Sequence, residues 1–247
     1  MNKLSFLLAG LLSAWQCTAI AGNGPVLDLK LNAPAMLQLN GKDVKVDGKF
    51  VKDAAGKTGL AIGTDFGVKL PAAAIVGPEG TIAFSLRFEN PKPENTLFNR
   101  SIISLRGENR QFVGFYLLQH DRKLTFAFKN LPERTMIKSR QNLDPGKWYR
   151  AACVWDGVKV KYYLDGDLQG EQTQPFALGL PPYASLYVGP YKDGWITSKP
   201  WNEDNCVITD LKTWKRPLTA AEIAVDAGKT IENAELKYTF YMSVMKK

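Results

Sequence analysis

The sequence has little of the chemistry on which most hydrolases depend. Its 247 residues include one histidine, His120, in the turn-like stretch Gln119-His120-Asp121-Arg122, where a histidine is commonly solvated. A histidine pair for zinc is therefore excluded, and His120 lacks the positioned partners that a general base requires. We expect no nucleophile–histidine–acid triad around a core site.

Long linkers, internal repeats and low-complexity segments are also missing. No Ser/Pro/Gly-rich tract interrupts the chain, and its length suits one β-rich domain. We predict a signal peptide over residues 1–21, a single domain over residues 22–230 and a tail over residues 231–247. The tail contains the apolar run 236–242, which we expect to add an edge strand.

The N-terminus carries an apolar run that is too short to span a bilayer comfortably. Lys3 supplies a positive charge, residues 4–15 form the apolar run, and Ala19-Ile20-Ala21 is a small-x-small cleavage signal. These features predict a secretory signal peptide and a secreted or periplasmic protein with no membrane span after cleavage. A buried N-terminal helix or a retained membrane anchor is the alternative.

Acidic residues are fewer than basic ones, which gives the chain a formal net charge of +8. The basic residues are spread out and, as at Lys159 and Lys161, fall at alternate positions of strand patterns, which is typical of a solvated sheet face. Such a surface can attract acidic glycans or anionic cell-surface polymers at low salt. We expect no nucleic-acid partner, because the chain has an export signal and no recognised binding motif.

What the chain does contain is a series of short strand patterns separated by turn residues. Besides the hairpin described next, these patterns cover residues 26–31, 36–39, 42–46, 60–62, 81–88, 102–105, 112–119, 123–128, 185–188 and 207–214. A helix is predicted over residues 218–227, where Thr219 and Glu222 form a capping box and Gly228 can close the last turn. The whole pattern predicts an all-β, antiparallel sandwich of two sheets with one short C-terminal helix.

The segment over residues 147–170 is the most informative part of the chain. Its strands meet at an Asp156-Gly157 turn, and a second turn follows at Asp165-Gly166. Apolar residues recur at period two on both strands, which predicts a hairpin with one buried face. We also predict that the tryptophans on strand patterns belong to the core: Trp148, Trp155 and Trp214.

Two blocks of the sequence follow one another in a recognisable order. Gly146-Lys147-Trp148 and Tyr163-Leu164-Asp165-Gly166 come first, and residues 207–214 then lead into residues 218–223. This order resembles that of the laminin G-like, concanavalin A-like family, whose members commonly carry Gly-x-Trp-x-x-Ala, Tyr-x-Asp-Gly and Leu-Ser/Thr-x-x-Glu-Ile. The resemblance implies a jelly-roll β-sandwich. It leaves the function open, because such sandwiches serve as lectins, adhesion modules, accessory domains of glycosidases and enzymes.

Enzymes of this fold carry signatures that the chain lacks. Laminarinase-type relatives place their carboxylates as Glu-x-Asp-x-x-Glu on one strand, so that alternate carboxyl groups share a face. That motif is missing, and Glu203 and Asp204 are adjacent, which on a strand sends them to opposite faces. The arginine, histidine and tyrosine signatures of polysaccharide lyases are missing as well. We therefore predict a protein without catalytic activity.

Two cysteines remain after signal cleavage, Cys153 and Cys206. An exported protein meets an oxidising environment, so a disulfide between these residues is one expectation. The alternative is two buried thiols, since cysteine also packs as a small apolar residue. The outcome depends on the Cα separation, which only a structure supplies.

The loop over residues 191–205 combines aromatic and polar side chains between two strand patterns. Sugar rings stack their C–H groups on aromatic faces, and Asp, Asn and Glu accept hydroxyl protons, so this mix is typical of a carbohydrate subsite. The predicted ligand-binding residues are Tyr191, Asp193, Trp195, Trp201, Asn202 and Asp204. The alternative is that Trp195 and Trp201 fold back over the end of the sandwich.

The resemblance also implies that some relatives bind a calcium ion near the rim of the sandwich. Asp193, Glu203 and Asp204 offer oxygen ligands, but calcium needs about six to eight oxygens and no EF-hand-like spacing is present. We therefore predict no cofactor and leave calcium open.

These features predict an exported, non-catalytic binding module whose partner is a glycan or a cell-surface protein. A carbohydrate-active enzyme, either a glycoside hydrolase or a lyase with an unfamiliar site, is the first alternative. A structural protein of the cell envelope is the second, because the chain carries little beyond the one domain.

Overall fold

The structure is a computed structural model that describes residues 24–62, 67–88, 99–107, 111–118, 122–130, 132–180, 184–189 and 206–230. Within these ranges the strands are β1 (Leu27–Leu29), β2 (Ala35–Leu39), β3 (Lys42–Val46), β4 (Phe50–Lys52), β5 (Thr58–Ala61), β6 (Val68–Pro71), β7 (Gly80–Phe88), β8 (Asn99–Arg106), β9 (Phe112–Leu118), β10 (Lys123–Asn130), β11 (Glu133–Lys138), β12 (Trp148–Trp155), β13 (Lys159–Leu164), β14 (Asp167–Thr173), β15 (Ser185–Val188) and β16 (Cys206–Trp214). Two short helices, α1 (Ala72–Ile75) and α2 (Ala220–Asp226), lie in the same ranges.

The strands form two large antiparallel sheets and a separate hairpin. The eight-stranded sheet has the order β14-β13-β12-β7-β16-β5-β4, and β1 also pairs with β16. The six-stranded sheet has the order β11-β10-β9-β8-β15-β6, and β2 pairs only with β3 among the described strands. The predicted two-sheet antiparallel jelly-roll β-sandwich with a C-terminal helix is therefore confirmed. Helix α1, which the sequence did not predict, is an addition.

The two sheets pack face to face around a core built from alternate residues of most of their strands. Phe115 on β9 lies at its centre: its ring centroid is 4.9 Å from that of Phe84, 5.3 Å from that of Phe126 and 5.4 Å from that of Tyr162. Phe84 and Tyr162 belong to the eight-stranded sheet, whereas Phe115 and Phe126 belong to the six-stranded one. These four buried rings therefore connect the two layers.

The predicted hairpin forms, with β12 and β13 paired from Ala151 opposite Leu164 to Trp155 opposite Val160. The Asp165-Gly166 turn has φ of +51° and +80°, as a two-residue type I′ turn requires. The prediction of one buried face is wrong, because both faces are covered. Odd-numbered residues of β12 enter the inter-sheet core, whereas the even-numbered Ala152 and Val154 belong to a second apolar cluster that includes Ile223 of α2.

The three tryptophans predicted to be core residues occupy different environments. Trp155 lies in the inter-sheet core, where its indole Nε1 donates to the Gly77 carbonyl oxygen at 3.2 Å. Trp214 is buried in the second cluster with Ile223. The prediction is wrong for Trp148, which is only half-buried on the outer face of the eight-stranded sheet. Trp148 and Trp155 are an odd number of positions apart on β12, so they face opposite ways.

The predicted disulfide between Cys153 and Cys206 is wrong. The two residues lie on strands that flank β7 on opposite sides, with Cys153 opposite Ile82 and Cys206 opposite Phe88. They are thus ~10 Å apart across the sheet and ~20 Å apart along it, whereas a disulfide needs Cα atoms within ~7 Å. Both cysteines are buried in the inter-sheet core, which confirms the alternative that each packs as a small apolar residue.

Helix α2 begins where its local capping groups predict. Thr219 Oγ1 accepts a hydrogen bond from the Glu222 backbone N–H at 3.2 Å, and the Glu222 carboxylate accepts one from the Thr219 N–H at 2.8 Å. This reciprocal pair completes the predicted capping box. Arg216 Nη2 also donates to Glu222 at 2.6 Å, and this bond lowers the pKa of Glu222 to about 2 against the opposing effect of partial burial.

Replacing Glu222 by glutamine is expected to lower the melting temperature by about 2–4 °C at pH 7, because a partly exposed capping carboxylate contributes about 1 kcal/mol. The folded-state pKa lies below the ordinary value of 4.5, so this contribution is present above pH 4.5 and is lost as the pH falls toward 2. Thermal unfolding followed by circular dichroism should therefore give a smaller difference between wild type and variant at pH 3 than at pH 7. Glu79→Gln, at an exposed position, is the matched control. An equal difference at both pH values would contradict the linkage.

Candidate functional site

The six residues predicted to bind ligand lie outside the described residues, as do Glu203 and His120. The six are Tyr191, Asp193, Trp195, Trp201, Asn202 and Asp204. The strands on either side of their loop are described, with β15 ending at Val188 and β16 beginning at Cys206. The positions of these two strand ends show where the loop leaves and rejoins the sandwich.

Several chain connections meet at one end of the sandwich, which we call the loop end. Cys206 pairs with Phe88, the last residue of β7, and its carbonyl oxygen accepts a hydrogen bond from the Ile62 N–H at 3.0 Å. In the other sheet Val188 pairs with Val68, the first residue of β6. Ile62 thus lies next to Cys206, and Val68 lies next to Val188. The chain from Ile62 to Val68 can span at most ~20 Å, whereas the two ends of the sandwich are about as far apart as the ~30 Å length of β7. Cys206 and Val188 therefore lie at the same end of the sandwich. Both anchor points of the loop therefore lie at the loop end.

A polar and aromatic group lies on the outer face of the eight-stranded sheet at the loop end. Trp148 pairs with Arg87, one residue before the end of β7. The Trp148 indole Nε1 donates to Asp53 Oδ2 at 2.6 Å, and Lys57 Nζ lies 4.4 Å from the centroid of the indole ring. The Arg87 guanidinium carbon lies 5.4 Å from the same centroid. We call Asp53, Lys57, Arg87 and Trp148 the Trp148 cluster.

Hydrogen bonding and charge hold the Trp148 cluster in one arrangement. The indole N–H bond is the largest effect on the pKa of Asp53 and lowers it, while burial opposes this shift. Arg87 is buried, and its Nη1 lies 3.7 Å from Asp53 Oδ2, so its charge is balanced within the cluster. Asp53 Oδ1 also accepts the Lys57 backbone N–H at 2.8 Å. The cluster therefore holds the turn between β4 and β5 against β12.

Gly59 allows the Trp148 ring to reach across the sheet. A Cβ atom at this position would stand 2.7 Å from Val207 Cγ1, closer than such atoms approach in proteins, and 3.1 Å from Trp148 Cη2, an unusually tight contact. The ring of Trp148, which starts on β12, therefore extends over β7 and β16 as far as β5. This places a broad, half-exposed aromatic surface at the loop end, close to the start of β16.

A bulge in β16 adds a carboxylate next to the Trp148 cluster. Asp210 has a φ of +51°, and the pairing register with β7 shifts between Thr209 and Lys212. Its carboxylate accepts a hydrogen bond from Lys30 Nζ at 2.7 Å and lies 3.4 Å from Lys57 Nζ. Burial raises the pKa of Asp210, but hydrogen bonding and charge from the two lysines outweigh it and hold the pKa below its usual value. Lys57 thus joins the bulge to the Trp148 cluster.

Sequence reasoning did not find the Trp148 cluster. Its members come from the turn after β4, from β7 and from β12, which only the pairing register brings together. The sequence did contain one indication of it. Trp148 and Trp155 are an odd number of positions apart on one strand, so their side chains point to opposite faces and only one of them can enter the core.

The described ranges contain neither a group of metal-ligating side chains nor a membrane-spanning helix. In those ranges no three histidine, cysteine or acidic side chains lie together in a way that could hold a metal ion. Asp193, Glu203 and Asp204, the residues considered for calcium, lie outside them. Over the same part of the chain, no helix is long and apolar enough to cross a membrane.

Two antiparallel sheets packed face to face, with a helix on one outer face and connections gathered at one end, define a concanavalin A-like β-sandwich. The profile of the concanavalin A-like lectin/glucanases superfamily, in its laminin G-like form, matches residues 46–224. The chain therefore belongs to this family, and the resemblance found in the sequence is confirmed.

Three similar proteins are at most 25% identical to this chain. Human laminin subunit alpha-3 is 25% identical over 148 residues, which are 57% of this chain and 4% of that protein. Among solved structures, domain 4 of an extracellular arabinanase from Geobacillus stearothermophilus, in complex with arabinotriose, has a TM-score of 0.51 at 15% identity and covers 79% of this chain and 81% of that one. The receptor-binding domain of botulinum neurotoxin type G has a TM-score of 0.57 at 14% identity, and the match covers 83% of this chain and 51% of that one. At these identities the structural likeness shows the fold alone. The chain spans only a small part of the laminin subunit and about half of the toxin domain.

Proposed function

We propose that the protein is an exported, non-catalytic binding module that recognises carbohydrate, free or on a cell-surface partner, at the loop end. The observation that carries the proposal is the position of the strand ends that flank the aromatic loop: Val188 and Cys206 lie at the same end of the sandwich as the Trp148 cluster. Two neighbours in fold are consistent with a binding role, since one was solved with arabinotriose and another is a receptor-binding domain.

The chemistry of the loop suits a sugar. The rings of Trp195 and Trp201 offer faces on which the C–H groups of a pyranose or furanose can stack. Asp193, Asn202 and Asp204 can accept hydroxyl protons and fix the orientation of the sugar. The partly exposed Trp148 ring and Lys57 ammonium group would extend this surface from the described part of the molecule.

Replacing Trp195 or Trp201 by alanine is expected to weaken glycan binding by about tenfold, because each change removes one stacking surface. A glycan array with the chain from residue 22 onward would identify a ligand, and affinity gel electrophoresis would compare the variants. Val158→Ala is the matched control, since Val158 is 67% exposed and lies at the Asp156-Gly157 turn, at the opposite end of β12 from Trp148. The site assignment fails if both tryptophan variants bind as the wild type does.

The non-catalytic part of the proposal is tested separately. Incubation with a panel of polysaccharides should produce no new reducing ends and no unsaturated products. Either product, at a rate that scales with protein concentration, would instead support a carbohydrate-active enzyme.

A further inference from the structure

The bulge in β16 places the carboxylate of Asp210 on the outer face of the eight-stranded sheet. Ile208 and Leu211 both enter the inter-sheet core, although they are three positions apart, so the strand accommodates one extra residue between them. The left-handed φ of +51° at Asp210 belongs to this irregularity, and aspartate is among the residues that tolerate it best. Bulges of this kind often re-aim a side chain next to a binding site.

Polar groups of the neighbouring strands hold the bulge in place. Arg150 Nη1 donates to the Asp210 carbonyl oxygen at 2.5 Å, and Ser85 Oγ donates to Asp210 Oδ2 at 3.3 Å. The Arg150 guanidinium is itself fixed, because its Nε donates to Asp226 of α2 at 2.7 Å. Both the backbone and the side chain of Asp210 are therefore held by the fold.

The Asp210 carboxylate joins two lysines, one of which lies against the Trp148 ring. Lys30 Nζ is 2.7 Å from Asp210 Oδ1, and Lys57 Nζ is 3.4 Å from Oδ2. The same Lys57 ammonium lies 4.4 Å from the centroid of the Trp148 indole. The side chains of Lys57 and Asp210 are 40% and 25% exposed, so a ligand on the ring can reach both charged groups.

An ammonium group and a carboxylate side by side suit the hydroxyl groups of a sugar. Lys57 can donate to one hydroxyl oxygen and Asp210 can accept the proton of another, while the sugar ring lies against the exposed part of Trp148. A carboxylate or sulfate on the sugar would instead compete with Asp210 for Lys57 and be repelled by the charge of Asp210. The arrangement therefore favours a ligand without charge.

We propose that Asp210 is a specificity-determining residue, which makes the loop-end site select an uncharged sugar over an acidic one. This inference rests on the proposed function, since it names the class of sugar for the same site. The formal net charge of +8 alone would favour acidic ligands. The local pairing of Lys57 with Asp210 decides the opposite preference.

Fluorescence quenching measures the local charge at Trp148 without any sugar. Asp210→Asn keeps the shape of the side chain and removes its charge. It should raise the iodide Stern–Volmer constant of the Trp148 contribution roughly two- to threefold at low ionic strength, and leave quenching by uncharged acrylamide unchanged. The Trp148 contribution is the difference between each protein and the same protein with Trp148→Phe. Lys57→Gln removes the cation instead and should lower iodide quenching.

Glu171→Gln is the matched control for Asp210→Asn. Glu171 also joins two lysines, Lys159 and Lys161, and the change in net charge is the same. Lys161 pairs with Val154, six positions from Trp148 along β12, so Glu171 is at least ~20 Å from the ring. This variant should leave iodide quenching of Trp148 at the wild-type value.

A glycan array that carries neutral oligosaccharides beside their sialylated, sulfated and uronate-containing counterparts tests the selectivity itself. At about 0.15 M salt, where distant surface charges are screened, the wild-type chain should bind neutral members more strongly than their acidic counterparts. Asp210→Asn should reduce this preference at least about threefold, because it removes the repulsion and frees Lys57 for an acidic group. Glu171→Gln should keep the wild-type preference.

The possible failures are distinct. The inference is overturned if the wild type prefers the acidic members, if Asp210→Asn keeps the wild-type preference, or if Glu171→Gln changes iodide quenching of Trp148 as much as Asp210→Asn does. In each of these cases a protein that binds sugars still satisfies the proposed function. If no member of the array binds, the proposed function fails and this inference fails with it.

Discussion

Phe115→Ala is expected to lower the free energy of unfolding by about 3–5 kcal/mol, which corresponds to a fall in melting temperature of about 10 °C for a chain of this size. The phenyl ring contacts three other buried rings, Phe84, Phe126 and Tyr162, and these come from both sheets. Removing it loses the transfer free energy of the ring and leaves a cavity between the layers. The neighbouring aromatic side chains are held on paired strands, so they cannot collapse to fill that cavity.

Urea and thermal denaturation followed by circular dichroism would measure this effect. Val158→Ala is again the control, because its side chain is exposed and its loss should change stability by less than about 0.5 kcal/mol. Phe115→Leu keeps much of the volume and should lie between the two. A loss below about 1 kcal/mol in Phe115→Ala would mean that the four rings do not hold the layers together.

Asp226→Ala has the second large expected effect, a loss of about 3–5 kcal/mol. Arg150 Nη2 lies 2.6 Å from Asp226 Oδ2, and Lys212 Nζ lies 2.8 Å from Asp226 Oδ1. The side chains of Arg150 and Asp226 are only 10% and 8% exposed. Without the carboxylate, two cations would remain close together at the interface between α2 and the sheet. The loss therefore reflects an uncompensated charge more than the value of the ion pair itself.

Asp167→Ala is the matched control for Asp226→Ala. Asp167 also forms an ion pair, with Lys229 at 2.7 Å, but its side chain is 73% exposed, so its loss should cost less than about 1 kcal/mol. The double variant Arg150→Met/Asp226→Ala removes both sides of the buried pair. It should recover part of the free energy of unfolding that Asp226→Ala loses. The argument would be contradicted if the double variant lost more free energy of unfolding than the two single variants lose together.

The strands that the sequence did not predict are all edge strands. β4, β6, β11 and β14 are the four strands at the ends of the two sheet orders. Strand β14 has the sequence DLQGEQT, with all its residues exposed or half-buried. An edge strand has a neighbour on one side only and buries less of its surface, so it needs no apolar alternation. For β14 the missing alternation is a consequence of edge position, which the sequence does not record, whereas β6 does alternate buried and exposed residues but spans only four positions.

Local signals, in contrast, led to correct predictions. The capping box at Thr219 and Glu222 and the Asp165-Gly166 turn depend on residues within a few positions of one another, and both form as predicted. The family motifs are of the same kind, since each is a short stretch of one strand or turn. The predicted ligand residues from Tyr191 to Asp204 remain a prediction, because they lie outside the described residues.

By itself the sequence determined the family, the hairpins and turns, and the start of the C-terminal helix, because these follow from contacts between residues close in the chain. Only the tertiary structure decided the relation between Cys153 and Cys206, the outward direction of Trp148 and the placement of Asp210 beside Lys57. Each of these depends on pairing register between strands that are distant in sequence. A shift of one residue in register would turn every side chain to the other face, and alternation within a single strand carries no information about its partner.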